Sequence, residues 1–273
     1  MGQQWHFFYK LKLDFSNPIV NHHFRNKIEP KSTLRQQIIR LRYEINPCEM
    51  IESNQDGFGN LVVYGSIVTP HNQFQIVMEG QATTSNQAKE EKADDSESII
   101  FKCPTRFTMP GKRLHDYYKE IHRNGCLEYD KDRPCDVADY YMRQLGRVLQ
   151  YKKGSSSIDT VAESAMEQGG GVCQDYAHIL ITLLRMSSIP ARYVVGLMCG
   201  EGESHAWVEV CQDGYWYGID PTNQKWVDDS YIKLSSGRDY LDCIMSKGNF
   251  EGVVLQTQSV CARVTREEGN ETT

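Results

Sequence analysis

The chain has 273 residues, 40% of them hydrophobic and 24% charged, which is enough for one large or two smaller domains with a buried core. Thirty basic against thirty-six acidic side chains give a net charge of -6, so no basic surface for nucleic acid is expected. No apolar run approaches the roughly 20 residues that cross a bilayer. These values predict a soluble protein whose partners are neither nucleic acids nor membranes.

The cysteines number nine, which is odd, and they have no repeating spacing and no CxxC pair. A chain of this length folds without bridges, so the thiols are expected to be free. The first residues show no secretion signal, and His6 stands where a myristoylation signal needs Ser or Thr. We therefore expect a cytoplasmic protein without a metal site and without a cofactor.

Alternation of apolar and charged side chains is typical of the first hundred residues. Residues 9–15, 39–45 and 74–78 each place an apolar side chain at every second position. This period of two predicts strands with one buried face, separated by turns such as Asp56-Gly57. Residues 1–100 are therefore predicted to form a small antiparallel β domain.

The end of that region has a different composition. Residues 81–98, QATTSNQAKEEKADDSES, contain alanine as their only apolar residue. Burying so little apolar surface does not offset the entropy of ordering the segment. A mobile loop or linker is predicted here, and a short solvated helix is the alternative.

Helical spacing begins after residue 100. Apolar side chains recur every three or four positions over residues 114–121 and 137–148, and a further helix is predicted over 160–168, ending at three glycines. Residues 101–273 are therefore predicted to form a second, larger domain. The fold class that follows is α+β.

A cysteine begins the next predicted helix. After Gly169-Gly170-Gly171 the sequence VCQDYAHILITLLR places Cys173 in the first turn, and Pro190 follows the end of the helix. Unpaired amides and the positive end of the helix dipole favour a thiolate there, which makes the sulfur nucleophilic. A small buried cysteine in a core helix is the alternative interpretation.

Downstream, SHAWVEVCQDGYWYGIDPTN predicts a hairpin with a two-residue turn at Asp213-Gly214. In that register His205, Trp207 and Asp220 project from one face, and Asp220 lies diagonal to His205, within reach of its ring. The pattern is typical of nucleophilic catalysis, in which the imidazole shares the proton of the thiol and the carboxylate orients the imidazole. A core histidine beside a surface aspartate is the structural alternative.

The strings GGGVCQDYAHILITLLR, SIPARYVVG, HAWVEV and GIDPTN, in this order, resemble the bacterial transglutaminase-like proteins of the wider transglutaminase and papain-like group, often described as cysteine proteases. The resemblance implies a Cys-His-Asp catalytic triad at Cys173, His205 and Asp220. It also implies a papain/transglutaminase-like core, in which the catalytic helix packs on an antiparallel sheet behind the amino-terminal β domain.

The function expected from these residues is hydrolysis of a peptide or carboxamide bond through a thioacyl-enzyme. Its substrate would be a peptide or protein. Transfer of the acyl group to a primary amine is the first alternative, since a sequence does not reveal an acceptor pocket. A noncatalytic peptide-binding or scaffold protein that keeps the fold is the second.

Three other residues near the motifs are assigned weaker roles. Asp175 is expected to orient the start of the helix or to complement its dipole. His178 lies off the face of Cys173 and is expected to be structural. Trp207 either walls the cleft or screens the ion pair from water, and core packing is the alternative. For the oxyanion, only the amide of Cys173 can be named as a donor.

Overall fold

The computed structural model describes residues 2–123 and 133–267, and it has the α+β class that the sequence predicts. None of its described helices is both long and apolar enough to cross a membrane. The five helices in the described ranges are α1 Asp95–Ile100, α2 Lys112–Arg123, α3 Pro134–Val148, α4 Ala162–Gln168 and α5 Cys173–Met186.

The strands form two main antiparallel sheets and one short parallel pair. The first sheet contains β1 Gln3–Asn26, β2 Gln36–Asn46, β3 Met50–Gln55, β4 Leu61–Ile67, β5 His71–Thr84, β10 Gly200–Gly202, β15 Ser246–Glu251 and β16 Gln256–Arg266. The second sheet contains β6 Lys89–Lys92, β9 Ala191–Met198, β11 His205–Gln212, β12 Tyr215–Asp220, β13 Lys225–Trp226 and β14 Tyr231–Gly237. The parallel pair is β7 Gln150–Tyr151 with β8 Gly170–Gly171.

Strand β1 organises the first sheet. Its first half pairs with β5 on one side and with β16 on the other, and its second half pairs with β4 and β15. The alternating pattern seen in the sequence explains this arrangement, because Tyr9, Leu11 and Phe15 are buried on one face. The charged residues of the alternating positions, Lys10, Lys12 and Asp14, are only half-buried.

The carboxyl end of the chain returns to this first sheet. Strand β16 pairs with β1 from Trp5↔Arg266 to Phe15↔Gln256, and β15 pairs with the second half of β1. The predicted assignment of all of residues 101–273 to a second domain therefore differs from the sheet topology. A pairing across about 250 positions has no local signature, so the sequence pattern did not reveal it.

The second sheet has helix α5 packed against β9 and β11. The predicted hairpin register is confirmed, since Gln212 pairs with Tyr215, Cys211 with Trp216 and Glu209 with Gly218. Its Asp213-Gly214 turn has both residues at positive φ, 51° and 72°, as a type I′ turn requires. The hairpin thus places Asp220, at the end of β12, beside the start of β11, where His205 lies.

The prediction of a mobile loop over residues 81–98 is wrong. Gln81 to Thr84 continue β5, residues 89–92 form β6 beside β12, and α1 follows. Two acidic residues explain the order of β6, because Glu90 forms a buried ion pair with Arg35 and Glu91 pairs with Arg192 at 2.5 Å. The lack of apolar residues suggested that the segment is disordered. Buried ion pairs order it instead of apolar contacts.

A buried charge cluster on the second sheet receives β6. Glu209 on β11 contacts Arg192 on β9 at 2.5 Å and Lys233 on β14 at 2.9 Å, and Glu91 joins both cations. Burial opposes the charge on Glu209, but the two cations beside it lower the pKa of its carboxyl. The cluster therefore holds the segment after β5 against the second sheet.

Lys233→Met should be strongly destabilising, because it leaves Glu209 buried with one cation instead of two. Removing one partner of a buried pair costs about 3–5 kcal/mol, which thermal unfolding should register as a fall of several degrees in Tm. Lys112→Met is the control, since Lys112 forms an exposed pair with Asp116 at 2.8 Å and its loss should barely change Tm. Equal, small changes in both variants would contradict a stabilising role for the cluster.

Candidate active site

Cys173 is the first residue of helix α5, as the sequence predicts. Val172 precedes it in an extended conformation, and the Asp175 carboxylate accepts the Val172 N–H at 2.7 Å. Asp175 also accepts a hydrogen bond from the Ser156 hydroxyl. Asp175 therefore orients the helix start, one of the two roles expected of it. The half-buried Cys173 side chain is left facing a cleft.

Gly170 and Gly171, shortly before Cys173, pack closely against neighbouring residues. A Cβ on Gly170 would lie 2.2 Å from the Gln150 carbonyl oxygen, and one on Gly171 would lie 2.3 Å from the Asp175 carboxylate. Side chains at these positions would separate β8 from β7 and displace the group that orients the helix. The close approach thus secures the position of Cys173.

His205 and Asp220 form a direct hydrogen bond. His205 Nε2 lies 2.7 Å from Asp220 Oδ2, with the Asp220 side chain wholly buried and the His205 side chain 13% exposed. Because Nε2 is engaged by the carboxylate, Nδ1 is the ring nitrogen left for Cys173, which lines the same cleft and interacts with this ring. The structure therefore brings together all three residues that the sequence singled out.

This arrangement favours an imidazolium. Burial by itself would lower the pKa of His205, but hydrogen bonds to Asp220 and Cys173, with their charges, raise it to about 10. Burial opposes ionisation of Asp220 too, yet the hydrogen bond and charge of His205 lower the pKa of that carboxyl. Near neutral pH the pair is therefore an ionised carboxylate beside a protonated ring.

The Asp220 carboxylate accepts hydrogen bonds from two side chains and two backbone amides that were not predicted from the sequence. Tyr231 Oη and Asn223 Nδ2 each donate to Oδ2 at 2.7 Å. The backbone N–H groups of Thr222 and Asn223 donate to Oδ1 at 2.9 and 3.1 Å. The DPTN string contained a signal for the amides, since an aspartate commonly accepts from the turn that follows it. Tyr231 comes from another strand and has no such signal.

Trp207 and His178 are both core residues, and Trp207 also stacks beside the ring of His205, with centroids 6.5 Å apart. Trp207 is fully buried, its ring stands edge-on to Tyr231 with centroids 5.4 Å apart, and it does not line the cleft. His178 is also fully buried, accepts the Tyr240 N–H at 3.2 Å and lies between the rings of Phe107 and Tyr193. Burial lowers the pKa of His178 to about 3, so this ring stays neutral.

A cleft of about 980 Å³ opens over Cys173 and His205. Tyr151, Val172 and Gln174 line it on the side of the helix start, and strands of the first sheet line it opposite. Within the described ranges no group of three or more His, Cys, Asp or Glu side chains is placed to hold a metal ion. The chemistry available in this cleft is therefore that of a thiol, an imidazole and a carboxylate.

Two sequence families match the chain. Residues 7–83 match the bacterial transglutaminase-like N-terminal region, and residues 124–221 match the transglutaminase-like superfamily. The second match includes Cys173, His205 and Asp220. The likeness to that superfamily therefore covers the part of the chain that carries all three site residues. The resemblance drawn from its motifs is confirmed, together with that of its amino-terminal β region.

Similar chains occur in mycobacteria. An uncharacterized protein of Mycobacterium leprae is 27% identical over 266 residues, which cover 88% of this chain and 90% of the relative. One from Mycobacterium tuberculosis is 28% identical over 258 residues, covering 84% and 81%. The likeness therefore includes both sheets.

The fold also matches a solved structure. The crystal structure of a putative cysteine protease from Cytophaga hutchinsonii superposes with a TM-score of 0.74, covering 100% of this chain and 93% of that chain. The sequence identity is 20%, so the likeness concerns the fold alone. It confirms the predicted α+β fold with an amino-terminal β region.

Proposed function

We propose that the protein is a thiol-dependent hydrolase of peptide or carboxamide bonds that acts through a thioacyl-enzyme. The observation that carries the proposal is the 2.7 Å bond between His205 and Asp220, with the Cys173 thiol beside the same ring. A base held by a buried carboxylate next to a helix-start cysteine is the arrangement that thiol catalysis requires.

The first half-reaction forms the thioacyl-enzyme. The Cys173 thiolate attacks the carbonyl carbon of the substrate, and the backbone amide of Cys173 at the helix start donates to the oxygen that becomes negative. The carbon–nitrogen bond then breaks as His205 gives its Nδ1 proton to the departing amine. The ring is left neutral, and Asp220 keeps its orientation.

The second half-reaction releases the acid. Neutral His205 takes a proton from a water molecule that attacks the thioester carbon, and the carbon–sulfur bond breaks to return the thiolate. The imidazolium and the thiolate are both regenerated. A primary amine in place of water would give acyl transfer through the same steps, so the chemistry of the triad is common to both reactions.

The experiment is to incubate the protein with a peptide library, with and without a primary amine, and to measure product masses. Hydrolysis adds the mass of water to the cleaved products, whereas transfer produces the amide of the added amine. We expect water-derived products in both incubations. Amine adducts without hydrolysis products would show that the reaction is acyl transfer. The absence of turnover would favour a noncatalytic binding protein.

The raised pKa of His205 predicts the alkaline limit of activity. The reaction needs the imidazolium, so kcat/KM in the parent should fall as pH rises through about 10. Asp220→Asn removes the negative charge that raises the pKa of His205, so the alkaline fall should move to lower pH. Turnover should also drop, though less than on loss of His205.

Rate profiles from pH 5 to 11, with Tm recorded at each pH, test this prediction. Asp116→Asn on exposed α2 is the control and should keep the parent profile. An unchanged alkaline limb in Asp220→Asn would show that Asp220 does not set the charge of His205.

A further inference from the structure

The wall of the cleft opposite the catalytic helix is built by the first sheet. Tyr9 and Leu11 on β1 and Val260 and Ala262 on β16 all line the cleft that contains Cys173. In the sheet, Leu11 pairs with Val260 and Tyr9 with Ala262, so the four side chains are cross-strand neighbours. We call these four residues the sheet wall.

The sheet wall is apolar and enclosed. Tyr9 and Leu11 are 2% exposed, Ala262 is 4% exposed and Val260 is half-buried. All four pack in or against the hydrophobic core, which fixes their positions. Of the four, Val260 keeps the most accessible surface, so the free energy gained by covering it with an apolar ligand group, at about 25 cal/mol per Å² removed from water, comes mainly from this side chain.

The charged residues of the cleft lie at its open rim. Lys153, Glu201, Glu203 and Lys247 are all exposed. Lys153 pairs with Glu203 at 3.3 Å, and Glu201 pairs with Arg263 at 2.7 Å. Three of these four charges are thus already partnered, and the buried and half-buried side chains that line the cleft are mostly apolar.

We propose that the sheet wall binds the acyl side of the substrate, and that the substrate is a peptide with a bulky apolar side chain within two residues of the attacked carbonyl. The inference rests on the proposed thioacyl chemistry. The acyl group stays bound to Cys173 while water replaces the amine, so the enclosed sheet wall is the suitable surface to hold the acyl group. The leaving amine must escape, so it is expected to lie near the open rim.

The amino-terminal β region then has a role in catalysis. One wall of the substrate site comes from β1 and β16, and the reacting groups come from α5, β11 and β12. Neither part of the chain alone forms the cleft. Substrate choice would accordingly depend on residues far from the triad in sequence.

The test compares three reagents that alkylate Cys173 in the full chain. Acetyl-Phe-Phe and acetyl-Gly-Gly chloromethyl ketones differ only in the side chains offered to the sheet wall, and iodoacetamide is too small to reach it. Each thiolate displaces a halide and forms one carbon–sulfur bond, which peptide mass mapping assigns to its cysteine. In the parent we expect the Phe reagent to label Cys173 about 10-fold to 200-fold faster than the Gly reagent.

Val260→Trp should fill the space beside the sheet wall and reduce that preference at least tenfold, while iodoacetamide labelling of Cys173 stays at the parent rate. Ser259→Trp is the matched control, because Ser259 is the adjacent, exposed residue of the same strand and points to the other face. It should keep the preference. If Val260→Trp does not fold, Val260→Asn is the second variant. It adds a polar group without added bulk and should also reduce the preference for the Phe reagent.

Equal labelling of the parent by the Phe and Gly reagents would overturn the inference, as would a preference that survives both Val260 variants. Failure of the proposed function looks different. In that case iodoacetamide would label Cys173 no faster than the exposed thiols Cys48, Cys103 and Cys261 at about pH 6, where an ordinary thiol is almost wholly protonated. That result would remove the thioacyl chemistry and this inference together.

Discussion

Cys173→Ala is expected to abolish turnover while leaving the fold in place. The sulfur is the atom that bonds to the substrate carbonyl, and loss of a catalytic nucleophile in a triad enzyme lowers kcat by about 10⁶-fold. The side chain is small and half-buried at the first position of α5, so its removal creates little cavity. Product masses from a responsive peptide, and Tm by thermal unfolding, measure the two effects.

Cys261→Ala is the control for Cys173→Ala. Cys261 is an exposed thiol on β16, outside the cleft, so its loss should change neither turnover nor Tm. Cys173→Ser preserves the size of the side chain with a poorer nucleophile and should also be inactive. Activity retained in Cys173→Ala with an unchanged product would refute the assignment of the nucleophile.

His205→Ala should remove the proton donor and the cation that stabilises the thiolate. General acid–base catalysis alone contributes about 10²–10⁴-fold, and the loss of the ion pair adds to this, so we expect a fall in turnover of about 10⁴-fold or more. Iodoacetamide labelling of Cys173 at pH 6 should slow in parallel. At pH 10, where ordinary thiols are mostly ionised, parent and variant should label at similar rates.

His115→Ala is the matched control for His205→Ala, because His115 lies on the exposed face of α2 and its ring hydrogen-bonds to the Gly111 carbonyl at 2.8 Å. It should keep both the turnover and the labelling profile of the parent. If His205→Ala labelled like the parent across the whole pH range, the imidazolium would have no role in ionising the thiol. The mechanism would then need a different base.

The placement of the three site residues was predictable because each depends on a local pattern. The glycines and the helical period place Cys173 at the start of α5, and the Asp213-Gly214 turn sets the register that brings Asp220 toward His205. Turns and helix ends are decided by neighbours within a few positions. The assignment of catalytic roles stays a prediction that the variants above test.

The supports of the site were not predictable in the same way. Tyr231 donates to Asp220 from β14, and Ser156 donates to Asp175 from the loop before α4. Tyrosines and serines of this kind are common in every globular chain, and nothing in their neighbours distinguishes them. Their function appears only when folding brings their hydroxyl groups to a buried carboxylate.

The segment after β5 illustrates the opposite error. Its charges suggested a solvated loop, since charged residues are seldom buried without partners. The partners exist, but they lie on other strands: Arg192 on β9 and Lys233 on β14 for Glu91, and Arg35 for Glu90. Whether a charged residue is exposed or paired in the interior depends on these distant cations.

The sequence by itself determined the α+β class, the helix that presents Cys173, the hairpin that carries His205 and Asp220, and the likeness to transglutaminase-like proteins. Only the tertiary structure decided that β16 closes the first sheet, that β6 docks by buried ion pairs, and that the sheet wall faces the thiol. The physical reason is the separation along the chain over which each kind of interaction acts. Periodicity, turns and caps are set by adjacent residues, whereas pairing and burial depend on groups that only the folded chain brings into contact.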